Sequence, residues 1–250
     1  MAIKLEEFKL RYKILLPVLS ITTLVIIGIA ILISVIGSRY IKNEKEKEIE
    51  NLSKQYSIKV EQDLGSVMNK VEVIASMAEG IKNSGSADRR SFTENLRKVL
   101  EDSPEVIFGV WNVWERDAFD GNDRNYVNAK FHDSTGRYIP YWNRGKGNIN
   151  LESVVDYISE DPNNYYTFPK TKNSEMITEA TEYDIAGKKI TVVSIEAPIR
   201  DKEGKFIGLV GMDLTLNDVV KMINEIKPYK KGYAYLISNS GNIVSHPKKS

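Results

Sequence analysis

The sequence predicts an α+β protein: one N-terminal transmembrane helix, a long stalk helix, an antiparallel-sheet module and the start of a second one. Three observations predict this. A charge-free apolar stretch runs from Ile14 to Ile36. Apolar residues then recur at spacings of three and four from Ile49 to Ile81. From Val106 onward, short apolar, β-branched and aromatic runs alternate with Gly, Asp and Asn turns.

As a helix, Ile14 to Ile36 rises about 34 Å, enough to cross a hydrocarbon core of about 30 Å. Pro17 is expected in its first turn, where a missing N–H matters least. A cleaved signal peptide has a shorter apolar core and a small-x-small site. Ser34-Val35-Ile36-Gly37-Ser38 is a poor site of that kind, so a retained anchor is the better reading. Lys4, Lys9, Arg11 and Lys13 before the span are balanced by Arg39, Lys42, Lys45 and Lys47 after it. The positive-inside rule therefore barely decides orientation.

The mixed-charge run Lys42 to Glu48 alternates in sign and reads as a solvated helix face. The apolar stripe beyond it (Ile49, Leu52, Tyr56, Val60, Leu64, Val67, Val71, Ile74, Ala78, Ile81) needs a partner. A second copy of the chain suits the early part, as in a heptad seam, and a sheet suits the later part. Asn83-Ser84-Gly85-Ser86 ends this helix. A shorter helix is expected from Ala87 to Leu100, capped by Ser86 or Asp88. Strands are expected at Val106 to Trp114, Asn128 to His132 and Arg137 to Arg144. A long irregular stretch, Gly145 to Ser174, follows. Strands resume at Ile177 to Tyr183, Lys189 to Arg200 and Phe206 to Leu214, with turns at 185–188 and 201–204. Leu216 to Ile226 is an amphipathic helix. The final strand–turn–strand cannot bury a core on two strands, so the chain is expected to be the first part of a longer protein.

Composition excludes several function classes. There is no cysteine, hence no disulfide framework and no thiolate metal site or nucleophile. The two histidines, His132 and His246, are far apart in sequence. The net charge is +1, which makes no case for nucleic acid. No nucleophile elbow, His-containing metal motif or phosphate loop appears, and no cofactor is expected. Asp117, Asp120 and Asp123 do not fit the calcium-loop spacing and read as a turn.

Candidate binding residues cluster between Trp111 and Tyr166. This region holds all three tryptophans, Trp111, Trp114 and Trp142. On a strand, Tyr138, Trp142 and Arg144 share a face. Arg144 could pair with a ligand carboxylate, and Trp142 could face a cationic head group. The competing role for these tryptophans is core. Tyr165 and Tyr166 lie in the long loop. Asp213 ends the apolar run Phe206 to Met212, where a carboxylate is costly unless paired.

Several pieces in order resemble the double Cache family, the extracytoplasmic sensors of bacterial chemoreceptors and histidine kinases. They are Phe108-Gly109-Val110-Trp111, Ala118 to Asp123, Asp133 to Arg144, Ala197-Pro198-Ile199, Gly204 to Asp213, and Gly232 through Pro247, behind the anchor and long helix. The resemblance implies two PAS-like modules on the long helix. Residues 1–13 would be cytoplasmic, 14–36 transmembrane and 37–84 the stalk. Residues 85–226 would form the membrane-distal ligand-binding module, and 227–250 would begin the proximal one. It also implies a cell-membrane homodimer and a chemotaxis output, with a kinase or cyclase output as the alternative. In amino-acid-binding members the aspartate of the Gly-x-Val-Gly-x-Asp stretch, here Asp213, meets the ligand's ammonium. The Arg-x-Trp-Tyr run of those members is absent. That departure counts against an α-amino acid among the expected ligand classes (amino acid, amine or organic acid) and leaves an amine, an organic acid or another small metabolite open.

Overall fold

The computed structural model describes residues 10–145, 147–185, 188–229 and 231–246. The chain divides into two units, Met1–Ile58 and Lys59–Ser250. A single helix, α1, Leu10–Ser84, supplies most of the first unit and opens the second.

In the first unit, α1 is long and apolar enough to cross a membrane, and none of its most apolar window is buried. The hydroxyls of Ser20 and Thr23 donate to Leu16 O and Leu19 O, each at 2.7 Å. Such bonds satisfy side chains that hydrocarbon could not. The helix starts at Leu10, so Pro17 lies inside it and not in its first turn. Its missing N–H leaves the Lys13 carbonyl without the usual helical donor. Further on, Lys45–Glu48 at 2.6 Å and Lys42–Glu46 at 3.7 Å are exposed pairs that add little stability.

The second unit is a curled antiparallel sheet with two long helical segments on one face. The later part of α1 buries Val67, Val71, Ile74, Ala75 and Ala78. Helix α2, Arg89–Glu101, adds Phe92, Leu96 and Leu100. Asp88 caps α2, its carboxylate accepting from Ser91 N at 2.6 Å. The strands are β1, Ile107–Trp114; β2, Pro140–Asn143; β3, Asn150–Ser153; β4, Met176–Ile177; β5, Thr181–Ile185; β6, Lys188–Arg200; and β7, Phe206–Thr215. Their order is β3-β2-β1-β7-β6-β4, with β5 also paired to β6. Two short helices complete the module: α3, Thr167–Lys172, and α4, Asn217–Glu225. The hairpin β8, Leu236–Ile237, and β9, Ile243–Ser245, comes last.

Strand alternation splits the side chains into two cores. The helix-facing core holds Val110, Trp114, Trp142, Ile195, Ala197, Val210 and Met212 with the helix residues. The opposite face gathers Trp111, Tyr141, Val154, Tyr157, Tyr165, Tyr166 and Leu209. Each fully buried large side chain contributes about 1.5–3 kcal/mol.

Three expectations change. Asn128 to His132 is not a strand. It is a turn with Asn128 and Phe131 at φ 57° and 54°, closed by one bridge from His132 to Tyr138. The reason is Arg89, around which this segment wraps. Its guanidinium binds Asp120 at 2.6 Å, Asp123 at 2.5 Å and Gly136 O at 2.9 Å, all buried or nearly so. Gly136, at φ 84°, has no room for a Cβ against the Asp123 carbonyl. The stretch Gly145 to Ser174 carries a short helix, α3, of the kind a loop of that length allows, and also a short strand, β3, which its polar sequence hid. The strand expected from Ile177 to Tyr183 is split into β4 and β5. The turn expected at 185–188 centres on Ala186 and Gly187, which lie outside the described residues.

Candidate ligand pocket

A cavity of about 60 Å³ opens on the sheet face away from α1 and α2. At about 10–15 Å³ per water, it has room for roughly four to six waters or a ligand of similar bulk. Strands β1, β2, β5, β6 and β7 contribute Trp111, Tyr141, Tyr183 with Asp184, Ser194 and Asp213. The segment after β3 adds Val154 and Val155, and the long loop adds Tyr165.

Register explains how these side chains meet. Trp111 stands opposite Gly211 on β7 and Tyr141 on β2. Asp213 stands opposite Gly109 on β1 and Ser194 on β6. Both glycines leave space for a ring. A Cβ on Gly211 would meet the Trp111 indole, and one on Gly109 would meet the Tyr141 ring. Thus Trp111 lies down over β7 and brings its indole N–H to Asp213 Oδ1 at 3.0 Å. Ser194 Oγ donates to the same oxygen at 2.7 Å. The Tyr141 hydroxyl lies beside this carboxylate outside hydrogen-bond geometry. Tyr165 packs edge-on against Trp111 at 5.5 Å and donates its hydroxyl to Val155 O.

Electrostatically the pocket is acidic and aromatic. Asp213 is 5% exposed. Burial pushes its carboxyl above the ordinary aspartate range, against the hydrogen bonds from Trp111 and Ser194. The Tyr183 phenol is pushed up to about 12, by burial first and then by the Asp213 and Glu196 charges. No Lys, Arg or His is among the described residues that line the cavity. Among the described residues, no group of three or more His, Asp or Glu could hold a metal.

Of the residues singled out from sequence, Asp213, Trp111 and Tyr165 are brought together here. The others are not. Trp142 sits in the helix-facing core, its indole N–H bonded to Thr93 O at 2.7 Å. Tyr138 is on the same side, its hydroxyl 2.7 Å from Thr93 Oγ1. Trp114 is fully buried there, edge-on to Phe119. Arg144 lies just past β2 and donates to Ile107 O, Leu100 O and Ser103 O, so its fork closes backbone carbonyls and not a ligand. Tyr138, Trp142 and Arg144 do share a side, as alternation requires, but it is the helix side. Tyr166 is on the pocket face but outside the cavity lining. Its hydroxyl donates to Glu115 at 2.5 Å and accepts from Arg137 at 2.8 Å, which ties down the loop.

Sequence reasoning missed Tyr141, Tyr183, Asp184, Ser194, Val154 and Val155. The phase of β2 decides between Tyr141 and Trp142, and adjacent aromatics do not reveal it. Ser194 left a weak trace: with Glu196 it is one of two polar residues that interrupt the otherwise apolar run Val192 to Ile199, and only the sheet register places it opposite Asp213.

A PAS-type sheet carried on a long helix, with an aromatic acidic cavity on its free face, defines a ligand-binding sensor module. The Cache domain family matches residues 37–250. The chain belongs to that family, in its double Cache form. It is 27% identical to the methyl-accepting chemotaxis protein TlpQ of Pseudomonas aeruginosa, over 52% of this chain and 20% of that protein. The chain therefore spans about a fifth of that relative's length. The extracellular domain of mmHK1S-Z2, a protein designated a histidine kinase, is 33% identical, with a TM-score of 0.62 over 76% of this chain and 73% of that one. Methyl-accepting Chemotaxis protein X shares the fold at a TM-score of 0.66 and 24% identity, over 81% and 75% of the two chains.

Proposed function

We propose that this chain is the sensing part of a chemotaxis-type membrane receptor and that its pocket takes a small organic amine. The carrying observation is Asp213. A buried carboxylate held by two donors faces an aromatic cavity with no basic side chain among the described lining residues. A ligand ammonium would find a counter-charge and the faces of Trp111, Tyr141, Tyr165 and Tyr183. A ligand carboxylate would find no cation among the described lining residues, which disfavours organic acids and the carboxylate end of an amino acid.

In this reading α1 anchors the chain with its N-terminus cytoplasmic. Residues 85–226 form the membrane-distal module, and 227–250 begin the proximal one. Two copies pair through the stalk. Amine binding shifts a two-state arrangement of the pair, which requires different affinities in the two states. A kinase output is the second reading, favoured by the 33% identity to mmHK1S-Z2. Catalysis by the sensing part is not proposed.

The test is a thermal-shift screen of the chain in detergent micelles against matched amines, amino acids and organic acids. A ligand that binds the native state alone raises the midpoint by mass action. Shifts confined to amines and lost in Asp213→Ala support the proposal. Shifts with organic acids alone, or amine shifts that persist in Asp213→Ala, refute it.

A further inference from the structure

His132 is a buried titratable group that the pocket does not use. It is 7% exposed and lies in the segment that wraps around Arg89. Its Nδ1 is 2.6 Å from Lys130 O. A carbonyl only accepts, so Nδ1 carries the proton of the neutral ring. Nε2 is then a bare acceptor, buried and without a donor among the described residues. Rings enclose it: Tyr126 stacks on the imidazole at 4.8 Å, Phe131 lies at 5.0 Å and Tyr138 at 5.8 Å.

The charged and titratable groups around this ring are already committed to other partners. Arg89 reaches in from α2 and lies 4.2 Å over the Tyr126 ring. Asp120 and Asp123, from the segment after β1, are both bound to Arg89. Tyr126 comes from the helical turn Asp123–Tyr126. The Tyr138 hydroxyl, ahead of β2, donates to Arg89 O at 2.9 Å. Asp133, next in sequence, gives its carboxylate to Thr135, Arg137 and Tyr157. Burial first, and then the Arg89 charge, act against the imidazolium; the Lys130 carbonyl and the Asp123 and Asp120 charges favour it, and the ring ends below the ordinary histidine range.

The backbone beside His132 is also loaded. Asn128 and Phe131 are left-handed, and for a bulky residue such as Phe131 that region persists only where the surroundings enforce it. The same segment carries connections to the rest of the module. Gly136 O accepts from Arg89 in the first turn of α2. Arg137 donates to Trp114 O at 2.9 Å and to the Tyr166 hydroxyl of the long loop at 2.8 Å. Tyr138 leads into β2, which supplies Tyr141 to the cavity.

We propose that His132 is a proton-operated clasp: a proton taken from solvent onto Nε2 opens the segment 128–138 around Arg89, so that the module senses acidity as well as small molecules. The inference does not rest on what the pocket binds. The new N–H has no acceptor in the closed segment and meets water in the open one. The closed form therefore favours the neutral ring. Its stability is full above the open-state value of about 6.5 and is lost as pH falls from there through the closed-state value.

The experiment is a pH titration of the chain in nanodiscs, with histidine labelled with carbon-13 for NMR and amide exchange read by mass spectrometry. The chain has two histidines, so His132→Asn identifies the His132 signal by its loss. Asparagine keeps a donor near the Nδ1 position and cannot titrate. The expected result is a His132 midpoint below the ordinary histidine value. Exchange of the His132, Gly136 and Ile139 amides, corrected for the intrinsic pH dependence, should rise at least about ten-fold from neutral pH to pH 5, with β1 and β7 unchanged. His132→Asn should lack that rise. A midpoint at or above the ordinary value overturns the inference. So does a lowered midpoint with unchanged exchange in the segment, and so does an acid response that His132→Asn retains. If His132→Asn folds poorly, His246→Asn identifies the same signal by elimination, and the native-chain titration and exchange still decide.

Discussion

Gly211→Ala is the most direct test of how the pocket is built. The new Cβ would lie 2.7 Å from Trp111 Cη2 and nearer still to Cζ2 and Cε2. Carbon atoms pack at about 3.5–4.0 Å, so the indole must retreat by about 1 Å or more. Its N–H reaches Asp213 at 3.0 Å now, and that retreat takes it beyond bonding distance. Overpacking costs about 1–3 kcal/mol. The lost hydrogen bond to a charged group costs about 1.5–3 kcal/mol. Together these predict a loss of about 3–5 kcal/mol, or on the order of 10 °C in Tm for a module of this size. Thermal unfolding followed by circular dichroism reads the stability, and near-ultraviolet ellipticity reads the indole environment. Amine affinity should fall with it, because Trp111 is a wall of the cavity. A variant within about 0.5 kcal/mol of the parent, with unchanged near-ultraviolet signal, would show that Trp111 does not rest on Gly211.

Other outcomes follow from the same structure. Gly80→Ala, in an exposed helix interior with nothing within 4 Å of the new methyl, should stabilise by about 0.5–1 kcal/mol in a denaturant titration. Trp142→Phe removes the bond to Thr93 O and should cost about 1 kcal/mol in stability while leaving amine affinity unchanged. A large affinity loss would return Trp142 to the pocket. Arg89→Met strands Asp120 and Asp123 in buried positions and should cost about 3–5 kcal/mol at neutral pH. In the parent, burial acts to raise Asp120, but the Arg89 bond overcomes it and leaves the carboxyl below its usual range. Its stabilisation is then present above the unfolded aspartate value near 3.9 and is lost as pH falls through the folded one. Arg89→Met should lack that acid-dependent loss. Asp213 has the opposite sign, since its folded value is raised. Its contribution to stability is full below the unfolded value and is lost as pH rises through the folded one, while amine affinity should fall as pH drops through that same value. An amine affinity flat from neutral pH down to 4 would contradict the anchoring role of Asp213.

Much of this protein was legible in the chain itself, where local chemistry dominates. An uncharged apolar run of membrane length folds as a helix long enough to cross a bilayer, and a three-four stripe without proline continues as helix. Asp88 caps α2 because a short acceptor there meets a free N–H whatever the rest of the fold does. The strands β1 and β7 and the later part of β6 announce themselves because both of their faces are buried. Asp213 stood out because a carboxylate in an apolar strand requires a reason. Tertiary structure decided the rest. Which face of β2 meets the helices is a one-residue question of phase, and it sent Trp142 and Tyr138 to one core and Tyr141 to the pocket. Arg144 was claimed by three backbone carbonyls that converge only after α2 and β1 pack. The segment after β1 became a wrap around Arg89, since an ion pair between residues 31 apart outweighs weak strand propensity. Glu196 beside Asp213 is the furthest from sequence sight. Its nearness to Asp213 depends on a cross-strand register, and register is set by the whole sheet and not by the residues next to it.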